Sequence, residues 1–125
     1  MAGGIPREVE EFIRSTIVSI QQLDVLLLVS TDETREWTPE EAGSILKTNA
    51  DAAGTCLRAL AAAGLLTRRG ESFRYTPAPE QRDVVVELAL VYRTYKTRVI
   101  QMVYSRPVDA VSTFADAFRL RRKER

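Results

Sequence analysis

Apolar residues return every three or four positions in IPREVEEFIRSTIVSI, where Ile5, Val9, Phe12, Ile13 and Ile20, with Thr16, fall on one side of a helix. Pro6 stands in the first turn, where a missing N–H costs nothing, and Glu8, Glu10 and Glu11 gather near the positive end of the helix dipole. The spacing predicts an amphipathic helix within residues 1–18. Ser19 followed by Gln22 has the form of a capping box, which starts a second helix through Leu23, Leu26, Leu27 and Val29. Its LLLV run calls for deep burial.

After the polar turn TDETRE, Trp37 precedes TPEE, with Thr38 as N-cap, Pro39 at the first helical position and Glu41 closing a capping box. The helix so started is short and ends near Lys47. Ala42, Ile45 and Leu46 are its inward residues, and Gly43 leaves room for a crossing helix. A turn at Thr48 and Asn49 leads to the next helix, where Ala50, Ala53, Leu57, Leu60 and Ala61 share a face and Gly64 is placed as the C-terminal cap. Helix, short turn and helix make a helix-turn-helix unit. Leu65 to Arg69 and Ser72 to Thr76 then read as two strands of a hairpin around Gly70 and Glu71.

PAPE at 77–80 interrupts the strand, and from about Gln81 to Tyr104 one long apolar-rich helix is expected. Its first half is apolar nearly all round, so it needs a cover from the N-terminal helices, from a second subunit, or from both. A homodimer interface built on Val84, Leu88, Val91, Tyr92 and Tyr95 is the expected arrangement. The same basic and aromatic mixture, with Arg93, Lys96 and Arg98, would also suit stacking on nucleic acid. Beyond S-R-P at 105–107, a stripe of Val111, Phe114, Ala115 and Phe118 precedes RLRRKER, and Phe114 with Phe118 extends the expected interface. The basic run reads as a phosphate-contacting arm, as part of a segment docking on an anionic membrane or a partner, or as a solvated tail.

With 125 residues, 45% hydrophobic and 28% charged, the chain has the composition of one globular domain, 1–125. No apolar run is long enough for a membrane span, and the first residues lack the basic-then-apolar order of a leader, so a cytoplasmic protein is expected. A lone Cys56 in an apolar helix reads as a small buried hydrophobe. Without histidine there is no imidazole base and no zinc set, so no metal, cofactor or catalytic site is expected and the chain is not read as an enzyme. Ser44 and Lys47 match S-x-x-K by coincidence, since no companion motif is present, and Glu40 and Glu41 are neighbours that point apart on a helix.

Charge divides the chain. Residues 1–63 carry five Lys or Arg against ten Asp or Glu, and residues 64–125 carry thirteen against seven, within a formal net charge of +1. Such a split marks a side that faces a polyanion, or two surfaces that attract each other.

W-T-P-E-E, the alanine-rich helix ending in G-L-L, and T-R-R-G-E-S-F-R-Y together resemble the winged helix-turn-helix domains of small bacterial transcription regulators, loosely of the MarR-like class, over residues 19–76. The opening S-I-Q-Q-L-D-V-L-L-L and the closing Y-S-R-P with F-A-D-A-F-R-L-R are also similar to a family of small bacterial proteins of this architecture. The resemblance implies a mainly α fold with a small β-hairpin: an N-terminal helix over 1–18, a winged core over 19–79, and a C-terminal long helix, short amphipathic helix and basic tail over 80–125. It places residues 50–63 toward the major groove of double-stranded DNA and 67–75 as the wing. Asn49, Thr55 and Arg58 would then be the helix contacts, and Arg68, Arg69 and Arg74 the wing contacts.

The outer face of that helix is otherwise Asp51, Ala52, Ala59 and Ala62, which offers few donors to base edges. Binding is therefore expected to rest on phosphate contacts from the wing. The alternative is a module that keeps the fold as a protein-interaction or adaptor surface and reads no DNA.

Overall fold

A computed structural model of the chain describes residues 4–104. The expected short amphipathic helix, with Phe114 and Phe118, and the basic tail lie outside the described residues. Six helices and a three-stranded antiparallel sheet make up the described residues, in the order α1, α2, β1, α3, α4, β2, β3, α5, α6.

α1 (Arg7–Thr16) follows Pro6 and buries Val9 and Ile13, with Ile17 continuing the same inward stripe. The turn into α2 (Ile20–Val29) is built by two side chains. Ser19 Oγ accepts the Gln22 N–H at 3.0 Å. Gln22 does not close the box on Ser19; its Oε1 accepts the Val18 N–H at 2.7 Å and its Nε2 donates to the Thr16 carbonyl at 3.1 Å. At 3% exposure Gln22 is a buried polar group whose bonds stitch two helices that bend by 113°. α2 then buries Leu23, Val25, Leu26 and Val29 almost all round, as its apolar run requires.

In the following turn, Asp32 Oδ1 accepts from the Thr34 N–H at 3.0 Å and the Thr34 hydroxyl at 2.6 Å. The chain next forms β1 (Glu36–Trp37), which the sequence pattern does not predict. The Thr38 capping box is complete: Glu41 N–H donates to Thr38 Oγ1 and Thr38 N–H to Glu41 Oε1, both at 3.1 Å. α3 (Pro39–Leu46) buries Ala42, but Ile45, expected inward, is 47% exposed because an eight-residue helix turns only one narrow face to the core. Gly43 also has a different partner from the one expected. A Cβ there would meet the Thr48 carbonyl oxygen at 2.9 Å, so the glycine clears the backbone of the turn beyond its own helix. Lys47 ends α3 with φ 62°, in the left-handed region.

α4 (Ala50–Ala62) starts at Asn49, whose side chain accepts the Ala52 N–H at 2.7 Å. It ends with Gly64 at φ +87° and two reverse bonds, Leu65 N–H to the Leu60 carbonyl and Gly64 N–H to the Ala61 carbonyl, each 3.0 Å. That pair is the Schellman termination. α4 packs on both α2 and α3, with Ala53, Cys56, Leu57 and Leu60 inward. β2 (Leu66–Arg69) and β3 (Ser72–Tyr75) pair in register from Leu66 opposite Tyr75 to Arg69 opposite Ser72. Their two-residue turn has positive φ at Gly70, 63°, the first central position of a hairpin turn that suits glycine. β1 joins the free edge of β3, with Trp37 opposite Phe73, so the order is β1-β3-β2 and Trp37, Leu66, Phe73 and Tyr75 are all buried.

The expected single helix over 81–104 is two helices. α5 (Pro79–Thr94) starts with Gln81 Oε1 accepting the Ala78 N–H at 3.0 Å, and Tyr95, at φ −123° and ψ 47°, leaves the helical conformation before α6 (Lys96–Tyr104). The break lets the chain fold back, and α5 and α6 both pack on α1. Two of the expected interface residues are corrected accordingly. Leu88 is 0% and Val91 5% exposed within one protomer, covered by its own helices, and they have no surface left for a second subunit. Val84, Tyr92 and Tyr95 are half-buried. Among the described residues of α5, the large apolar side chains left in solvent are Val86 at 57% and Leu90 at 51%.

Candidate nucleic-acid interface

The residues singled out by the sequence lie on α4, its N-cap and the hairpin, and β2 packs against α4. Their side chains are not all turned outward. Asn49 is exposed, with its carbonyl oxygen engaged in capping and its amide N–H₂ left for other contacts. Thr55 donates its hydroxyl hydrogen back to the Asp51 carbonyl at 3.0 Å, and Arg58 Nη2 donates to Thr55 Oγ1 at 3.5 Å. A Cβ on Gly54 would meet Arg58 Nη1 at 3.1 Å, which shows the guanidinium lying back along its own helix toward Pro39. The remainder of that exposed face is Asp51, Ala59 and Ala62.

On the hairpin, Arg68 Nε donates to the Gly70 carbonyl at 3.0 Å and the guanidinium sits 5.6 Å from the Phe73 ring, with the residue exposed. Arg69 is 61% exposed along its side chain and reaches Glu36 at 3.6 Å, a loose solvent-facing pair of little strength. Glu36 also accepts from the Ser72 hydroxyl at 2.9 Å. Arg74 differs from both. Its Nε donates to the Glu33 carbonyl at 3.1 Å in a part-buried setting, so this arginine is engaged with the turn before β1 and not with the hairpin tip. The geometry thus leaves Arg68 and Arg69 exposed together at the tip, keeps Arg58 along α4, and withdraws Arg74.

Several residues beside this surface went unnoticed in the sequence. The Glu33 carboxylate receives Arg82 through two bonds, Nε at 2.9 Å and Nη2 at 2.8 Å. That fork holds the Glu33 carboxyl below its usual range and raises the Arg82 pKa. Nearby, burial and the Glu33 charge push the Tyr75 phenol up to about 12. Arg35 stacks over Trp37 at 3.8 Å, and the buried Trp37 Nε1–H has no hydrogen-bond partner among the described residues. No local pattern announces these contacts, because Glu33 and Arg82 are 49 residues apart.

Two concave surfaces border the same elements. Val18, Ser19, Gln21 and Gln22 face Ala52, Thr55, Cys56 and Ala59 across a groove of about 320 Å³, with Val18 64% exposed. Cys56 at its floor is buried, and that burial, then the nearby Asp24 charge, raises its thiol pKa, as suits a packing residue. A second groove of about 440 Å³ runs between α2 and α5. Among the described residues no group of acids and cysteine is arranged to hold a metal ion, and no single helix is long and apolar enough to cross a membrane. The chain matches no family model, and comparison with curated proteins and with solved structures returns no match.

Proposed function

We propose that the chain is a winged helix-turn-helix protein of the bacterial transcription-regulator type that binds double-stranded DNA mainly through its hairpin. The reading is supported by the succession α2, β1, α3, α4, β2, β3, with β1 added to the β3 edge, which is the order a winged helix requires. The observation that carries it is the hairpin tip, where Arg68 and Arg69 stand exposed at the end of β2, the strand that packs on α4. Those two guanidinium groups contact phosphate oxygens. Arg58 and the Asn49 amide approach the groove edge, and Thr55 adds little because its hydrogen is returned to its own helix. An alanine surface with one arginine supplies little base discrimination, so affinity is mainly electrostatic.

Fluorescence anisotropy on random duplex DNA tests this. Binding is expected at low salt, and Arg68→Ala with Arg69→Ala is expected to abolish it while leaving the circular dichroism spectrum unchanged. Absence of binding at low salt would refute the reading.

A second reading is favoured by one specific observation, the apolar groove along the α4 outer face at Val18, Ala52 and Ala59. Small side chains there suit close contact with another protein's helix, in an adaptor that has given up DNA. In that case DNA leaves the anisotropy unchanged for wild type and variant alike.

A further inference from the structure

The groove between the C-terminal half of α2 and α5 is apolar, with Leu27, Val85, Ala89 and Tyr92 in its lining and Val86 and Leu90 on its exposed lip. Val86 and Leu90 are four residues apart, so they stand one above the other on α5 and expose a continuous apolar ridge. Arg82 and Arg93 edge it. Arg82 is held by Glu33, whereas Arg93 is exposed.

The described residues end at Tyr104, on a helix that packs against α5. α6 ends at Tyr104, which is 69% exposed and close enough to Tyr92 in the groove lining for its phenol to help raise the Tyr92 pKa, behind burial and Asp24. Beyond it, Val111, Phe114, Ala115 and Phe118 recur at i, i+3, i+4 and i+7, one apolar face of two helical turns. The intervening residues 105–110 can span up to about 20 Å when extended, enough to return along α5. Residues 105–118 carry Asp109 and Asp116 against Arg106, a net acidic stretch to set against the exposed Arg93 on the rim, and the basic run begins at Arg119, past the apolar face.

We propose that residues 111–118 of the same chain dock in the α2–α5 groove, with Phe114 and Phe118 against Val86 and Leu90. The segment covers the ridge left bare on α5 and fixes where the basic run RLRRKER leaves the molecule. This does not depend on whether DNA is bound.

Disulfide trapping in the full chain tests the contact. In a Cys56→Ala background, Leu90→Cys with Phe118→Cys is expected to form an intramolecular crosslink on mild oxidation, several-fold faster than the control pair Val18→Cys with Phe118→Cys at the other end of α2. In parallel, hydrogen exchange of the wild-type chain is expected to show protection over 111–118. Leu90→Glu, a change at an exposed position that leaves the core intact, is expected to reduce that protection several-fold. A crosslink between two molecules would overturn the proposal in favour of the same segment seated on a second copy. Equal or absent crosslinking at both pairs, or protection indifferent to Leu90→Glu, would overturn it outright.

Discussion

At the scale of single residues, Gln22 illustrates how one buried amide organises a corner. Its two bonds satisfy the Val18 N–H and the Thr16 carbonyl where the chain turns between two helices. Removing the side chain leaves both groups without these partners in a part-buried corner, each at a cost of roughly 1–2 kcal/mol. Gln22→Ala is therefore expected to lower the unfolding free energy by about 2–4 kcal/mol, read from the shift of the urea midpoint at unchanged slope. The Ser19 and Gln22 spacing revealed the helix start but not this geometry, because a capping box and a corner stitch share one sequence signature. Thr38 with Glu41 has the same spacing and does form the reciprocal box. The difference is set by a helix preceding Ser19, whose last carbonyls and amides compete for the glutamine. The two arginines at the hairpin tip were equally legible, flanking as they do a glycine turn, whereas the inward bond of Arg74 depends on a carbonyl 41 residues away.

At the scale of elements, strong local chemistry was readable and weak local chemistry was not. Capping residues and Gly64 announced the limits of α3 and α4, and Gly70 announced the hairpin. β1 is two residues long, too short for alternation to show, and exists because the β3 edge accepts it. The break at Tyr95 carries neither proline nor glycine, so periodicity runs through it, and of the covers that the apolar surface of α5 calls for, α1 is the N-terminal one and α6 is one that a single long helix hides.

The end of β3 offers a test of how the sheet closes on α5. In the folded protein the Tyr75 phenol is pushed up to about 12 from an ordinary 10.0, so the unfolded chain loses this proton first as pH rises. Its contribution is fully present below pH 10 and is lost between pH 10 and about 12, because there the unfolded state binds fewer protons than the native one. Tyr75→Phe is expected to flatten that alkaline decline in denaturant titrations carried across the same range.

At the scale of the whole molecule, the charge split acquires a location. The acidic half holds α1 to α4 and supplies Glu33 as the partner of Arg82, so part of the asymmetry is offset between elements of one protomer. What remains on the proposed DNA side is Arg58, Arg68 and Arg69. If these three neutralise one phosphate each, the slope of log K against log salt for one protomer is expected to be about −3, at roughly 0.9 per contact. A salt series in the anisotropy titration measures it, and a slope near zero would show that the surface meets no polyanion.

Glu33 has a consequence that reaches past its own surroundings. Its carbonyl holds β3 through Arg74 and its carboxylate grips the start of α5 through Arg82, from a turn that belongs to neither element. Hairpin and helix are thereby braced against a common strut, and a force applied to one is delivered to the other. The hairpin and α5 therefore share one anchoring point, the turn that carries Glu33.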